Sequence, residues 1–235
     1  MFEDFADRRR CRLAKHCETA DLPPCGGDVR QDRGGRDGTQ SSPTVGPRLM
    51  RILRAADHRR MPWKNGGGVT TEIAVFPAGA GLDDFEWRLS MANVASDGPF
   101  SIFAGVDRTL AVLEGEGIAL SVADRPEVTL TRSSEPFAFP ADQPTSARLI
   151  AGPILDFNVM SRRGRVGYRV ERTRVGADVP HGSTDVVFCS AGRARISSGG
   201  EEATLQAHDV AILDASFVIE DAGAAELFLV ALEQV

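Results

Sequence analysis

No apolar run in the 235-residue sequence approaches the roughly 20 residues with which a helix spans a bilayer. The N-terminus also lacks the apolar stretch of a secretory signal, so a soluble protein of the cytoplasm without a membrane partner is expected. Cysteine is scarce. Cys11, Cys17 and Cys25 stand near the start, with only His16 between them, and Cys189 sits alone in an apolar strand pattern. This excludes a disulfide framework and makes zinc binding a weak reading. Paired histidines are missing as well: His58, His181 and His208 are widely separated in turn-like contexts, so neither a metal nor any other cofactor is expected. Positive charge is in deficit, with 27 Lys and Arg against 33 Asp and Glu, a formal charge of −6 and a pI near 5.3. No global field draws in phosphate backbones, a nucleic-acid partner is not expected, and an anionic ligand must be held by local Lys or Arg. No serine stands in a G-x-S-x-G elbow and Cys189 has no evident His partner, which leaves an inert buried thiol as its reading.

What is present is a globular composition, 42% apolar and 26% charged. Residues 1–48 differ from the rest: Gly, Pro, Asp and Ser dominate, and nine basic residues face eight acidic ones. A stretch so poor in apolar side chains cannot offset its ordering entropy and is expected to be a disordered extension, with Met50 as an alternative start. From Arg51 onward, runs of Val, Ile, Leu and Phe alternate with turn clusters about every ten residues, without long helical periodicity. About fourteen strands are expected. LAVLEGEGIALSV with VTLTRSSEPFAFP is echoed by DVVFCSAGRARIS with ATLQAHDVAILDA, which pairs Thr129-Leu130 with Thr204-Leu205 and divides the chain into two β units. The expected boundaries are 49–164 for the first barrel, which holds the ligand pocket, and 165–235 for the second.

Several residues carry possible chemistry. Met61-Pro62-Trp63-Lys64-Asn65-Gly66-Gly67-Gly68 joins an aromatic, a cation and an amide to three glycines just before a strand. It reads as a recognition loop or as a hairpin connection with Trp63 plugging one barrel end. It is no P-loop, because the lysine precedes the glycines. In Phe85–Ala92, alternation sends Phe85, Trp87, Leu89 and Met91 to the core and Glu86, Arg88, Ser90 and Ala92 to the opposite face. If that face lines an interior, Arg88 offers a fork for a ligand carboxylate or for Glu72; otherwise it faces solvent. Asp156 and Asn158 likewise share one side of a strand, facing a wet pocket or bulk water. Asp97 reads as a turn cap. The final apolar strand, Glu226–Leu232, could pair across a homodimer but reads more simply as a central strand buried on both faces.

PWKNGGG with Thr70 and Glu72, then FEWRLSMANVASDGPFSIFAGVDRTLAVLEGEG, then AGPILDFNVMSRRG, together resemble the HutD/Ves family from Arg51 to about Gly164. The C-terminal half resembles it mainly by pattern. The resemblance implies an all-β double-stranded β-helix, or cupin, duplicated into a bicupin but lacking the clustered His and Glu of metal-dependent cupins. It also implies the company of histidine-degrading enzymes, and hence a ligand such as N-formylglutamate or formiminoglutamate. On this reading Lys64 and Arg88 hold carboxylates, Asn65 and Asn158 orient an amide or formyl group, and Glu72 positions Arg88. Ser90 and Ser101 add hydroxyls, and Trp63, Gly66, Gly67 and Asp156 complete the site. A metal-free isomerase, lyase or hydrolase with Glu72 or Asp156 as base is the alternative, and an assembly role is the third.

Overall fold

Alternating apolar side chains can bury only one face of an extended segment, so the chain stacks its strands into layers. The computed structural model describes residues 50–63, 66–173 and 184–235, without the side chains of residues 221 and 222. The proposed extension over 1–48, with three cysteines and His16, lies outside the described residues, as do Lys64, Asn65 and His181. The strands are β1 (Met50–Leu53), β2 (Arg59–Pro62), β3 (Gly68–Phe76), β4 (Trp87–Val94), β5 (Gly98–Pro99), β6 (Val106–Glu114), β7 (Ile118–Val122) and β8 (Val128–Leu130). They continue with β9 (Phe137–Pro140), β10 (Thr145–Leu149), β11 (Ile154–Arg162), β12 (Val166–Thr173), β13 (Thr184–Ser198), β14 (Glu201–Gln206), β15 (Val210–Leu213) and β16 (Phe217–Gln234). A 3-10 turn spans Ala55–Asp57. Among the described residues no helix is long and apolar enough to cross a membrane.

Three sheets result. The first runs β2-β3-β4-β11-β6-β9, the second β5-β10-β7-β8, and the third β1-β15-β13-β16-β12 with β14 on β13. The two segments read from sequence as a repeat pair as follows. In the first half β6 pairs with β9 and β7 with β8; in the second, β13 pairs with both β15 and β14. The repeat therefore aligns β6 and β7 with successive parts of β13. Here sequence and structure differ: two strands expected at Asp185–Cys189 and Ala194–Ser197 form one, bent by register shifts between Cys189 and Ala194. Gly192 marks the bend, at φ +73°, where the first half has the full break at Gly115 and Gly117. The last strand also begins earlier than expected, at Phe217, and lies between β13 and β12, central in its sheet.

Each face of β4 and β11 belongs to a different layer. Trp87, Leu89, Met91, Phe157 and Val159 pack against Val186, Phe188, Phe228 and Val230 of the third sheet. Phe85 lies instead in a small cluster with Val106, Ala141 and Met160, because it precedes the strand. Beyond the third sheet, Val187, Ile196, Leu205, Leu213 and Leu229 fill the second half's interior with apolar side chains. The opposite face of the first sheet looks toward the second sheet. Apolar residues close one end of that space, with Leu110, Ile118, Leu120 and Ile154 fully buried. The other end stays open.

Candidate functional site

The open end is a cavity of about 630 Å³ whose floor is the polar face of the first sheet. Strand register decides which side chains meet there. Ser90 lies opposite Asn158, Ala92 opposite Asp156, and Met160 sits between Arg88 on one side and Arg108 on the other. Two strand spacings thus separate the arginines, about 10 Å between backbones. Glu72 of β3 stands beside Ser90, and a register shift follows it. Ala147 of β10 with Gly98 and Pro99 of β5 lines the facing wall, while Trp63, Phe100 and Leu82 border the cavity farther out.

The floor is charged and largely buried. Arg88 is 5% exposed; its Nε donates to Glu72 Oε2 at 2.9 Å and its Nη1 to Ser90 Oγ at 3.4 Å. The half-buried Arg108 donates through Nε and Nη2 to Asn158 Oδ1, at 2.8 and 2.5 Å, and lies over the Phe100 ring at 4.4 Å. Asn158 in turn donates from Nδ2 to Asp156 Oδ1 at 2.5 Å, which fixes the orientation of its amide. Arg88 Nη2 and Arg108 Nη1 hydrogen-bond to none of the described residues. Burial pulls the Arg108 guanidinium down to about 10; Asp156 opposes the shift and Arg88 adds to it, so Arg108 remains a cation at neutral pH. Burial pushes the Asp156 carboxyl up to about 6, with Arg108, Asn158 and the Ala92 N–H pulling the other way. Arg88, paired with Glu72, and Arg108, held by Asn158, place two guanidiniums in one cavity wall, an arrangement that accepts an anion.

Of the residues expected from sequence, Trp63, Arg88, Ser90, Ser101, Asp156 and Asn158 all line this cavity. Glu72 stands behind Arg88 as its ion-pair partner, with 18% of its side chain exposed. Gly66 and Gly67 lie in the β2–β3 turn and not on the wall: Gly66 N donates to Trp63 O, and Gly67 O accepts from Ala95 N. Trp63 is held by Nε1 donating to Thr70 Oγ1 at 2.8 Å and packs on the apolar end of the cavity. Asp97 accepts the Leu149 N–H at 2.7 Å and also reaches the cavity rim.

Sequence reasoning missed Arg108. Its signal was present in Asp107-Arg108-Thr109-Leu110, where alternation places Arg108 on the same side as the fully buried Leu110. Elsewhere Cys189 is buried, and burial lifts its thiol to about 11. His208 occupies the β14–β15 turn with φ +70°. Among the described residues no three His, Cys, Asp or Glu gather as they would around a metal ion.

The family model HutD matches residues 55–229. The chain belongs to the HutD family. An uncharacterized 21.2 kDa protein in the hutC 3' region of Pseudomonas putida is 38% identical over 157 residues, covering 65% of this chain and 80% of the relative. HutD from Pseudomonas fluorescens SBW25, solved in a formate condition, is 36% identical with a TM-score of 0.68, over 79% of this chain and 99% of that one. A conserved protein of unknown function from Pseudomonas aeruginosa gives 36% and 0.71 over the same shares. Far from HutD in sequence, oxalate decarboxylase from Lactobacillus farciminis, in a formate complex, has a TM-score of 0.55 at 9% identity over 80% of this chain and 86% of that one. That likeness concerns the fold alone, which is all-β and cupin-like.

Proposed function

We propose that this HutD-family chain is a cytoplasmic binding protein of histidine utilisation that takes a small carboxylate-bearing metabolite without a metal. The family's link to that pathway supports the setting. The observation that carries the reading is the pair of guanidiniums, Arg88 and Arg108, lining one cavity on either side of Met160, with the Asn158 amide next along the same strand. Arg88 Nη2 and Arg108 Nη1 are the nitrogens left for a ligand, and two such cationic donors on either side of Met160 suit a molecule with acidic groups at both ends. Asn158 would orient an amide or formyl group, which makes N-formylglutamate and formiminoglutamate the leading candidates. Lys64 and Asn65, read from the sequence as ligand contacts, lie outside the described residues and remain part of the proposal on the sequence motif alone. The pairing repeat supports reading the chain as a bicupin whose second unit, filled by apolar residues, braces the first.

Calorimetric titration of N-formylglutamate, with formate as the smallest carboxylate, tests this. Micromolar to millimolar binding of N-formylglutamate is expected, and Arg108→Gln should weaken it about ten- to hundredfold, the worth of a charge-assisted contact of about 1.5–3 kcal/mol. Unchanged affinity in Arg108→Gln would sink the assignment. The enzyme alternative is favoured only by the burial of Asp156, since Glu72 is already committed to Arg88. Conversion of either candidate by the purified protein, lost in Asp156→Asn, would establish it.

A further inference from the structure

A buried carboxyl oxygen in the cavity wall has no hydrogen-bond partner among the described residues. Asp156 is 1% exposed, and its two oxygens are supplied unequally. Oδ1 accepts the Ala92 N–H at 3.2 Å and an Asn158 N–H at 2.5 Å, whereas Oδ2 is buried with no hydrogen bond from the described residues. An ionised carboxylate spreads its charge over both oxygens and calls for donors at both. A neutral acid needs acceptance at one oxygen only and offers an O–H at the other. Buried carboxyls in apolar pockets use this neutral form to donate a hydrogen bond to an anion.

We propose that an anion enters this cavity together with one proton, Asp156 serving as the neutral acid whose Oδ2–H donates to the ligand. This rests on the anion-binding reading of the cavity. The proton comes from solvent onto Asp156 when the ligand binds and returns when it leaves; no covalent bond forms or breaks elsewhere.

The surrounding charges set the balance. Arg108 from β6 acts most strongly on Asp156, through Coulombic attraction and through the Asn158 amide between them. Arg88 from β4 is tied to Glu72 of β3, and Asp97 at the rim before β5 is the remaining carboxylate on the wall. The facing strands β5 and β10 contribute Gly98, Pro99 and Ala147, none of them charged. In the empty site Arg108 partly satisfies an ionised Asp156. An incoming carboxylate takes over that attraction and adds a negative charge, and both changes favour the protonated acid. With the empty-site value at about 6, proton uptake is largest above that pH.

The experiment is calorimetric titration of N-formylglutamate into the full chain at about pH 5.5, 6.5 and 7.5, in pairs of buffers with different ionisation heats. Carboxylates of the ligand class titrate near pH 4 and stay ionised throughout. The expected result is uptake of close to one proton at the highest pH, with the dissociation constant rising about tenfold per pH unit above pH 6. Asp156→Asn, which keeps a donor at that position, should bind with a pH-independent constant and no uptake. If this variant does not fold, the buffer comparison on the wild type decides alone. Binding without proton uptake overturns the proposal while leaving the site reading intact, and so does an Asn variant with wild-type pH dependence. No binding at any pH overturns both.

Discussion

Asp156 concentrates the conflict between fold and site. Its carboxyl is raised to about 6 in the folded chain, against an ordinary value of 3.8. Between those values the folded state holds more protons on this residue than the unfolded one, so the contribution of Asp156 to stability is most favourable below about pH 4 and falls as pH rises to about 6. A shift of about two pH units costs about 3 kcal/mol above that window. Asp156→Asn removes this loss. Urea unfolding should therefore show the variant gaining on wild type by about 3 kcal/mol between pH 4 and pH 7, and a difference independent of pH would contradict the assignment. Such a residue, costly to fold and facing a cavity, fits a role in binding better than one in stability. Arg88 is the contrast: Glu72 and Ser90 hold its Nε and Nη1 within the fold, and Nη2 is left to face a ligand.

Among elements, the β2–β3 hairpin decides the shape of the cavity rim. Gly68 is needed for close approach: an added Cβ would lie 2.3 Å from the Asn93 carbonyl and 3.0 Å from the Trp63 ring. Neither the backbone of β4 nor the indole, held by Thr70, can move freely. Gly68→Ala should cost about 1–3 kcal/mol and weaken ligand binding by shifting Trp63. Gly98→Ala, whose Cβ meets nothing within 4 Å, is the control and should leave the midpoint of thermal unfolding unchanged. The glycine run was read from sequence as a recognition loop or a hairpin connection; in the structure its third member acts through sterics and the first two lie in the β2–β3 turn. Alternation identified the faces of β4 and β11 because period two is a local property. It left open whether the polar face met water or a cavity, since the second sheet that closes the cavity is remote in sequence.

At the scale of the whole molecule, the two halves share one core. Phe157 of the first sheet stacks on Phe188 of the third at 4.4 Å between centroids and touches Phe228 at 5.7 Å. All three are at most 1% exposed. β1 adds a second tie by pairing with β15, and Asp209 a third. Burial alone would raise the Asp209 carboxyl, but the N–H groups of Ala55 and Gln206 and the Arg54 guanidinium hold it below its usual value. Phe157→Ala should cost about 3–5 kcal/mol. Unfolding followed by calorimetry should remain one transition, shifted down. Two separated transitions would show halves that fold independently.

The sequence by itself determined the all-β class, the order of most strands, the HutD resemblance and the polar residues of β4 and β11. Each rests on patterns within a few residues or on motifs kept in order along the chain. Only the tertiary structure decided that Arg88 and Arg108 flank one cavity, that Asp156 keeps a buried oxygen with no partner among the described residues, and that the second half has an apolar interior. Those facts depend on register between strands far apart in sequence, and hydrogen-bonded pairing with layer packing fixes that register only when the chain is folded.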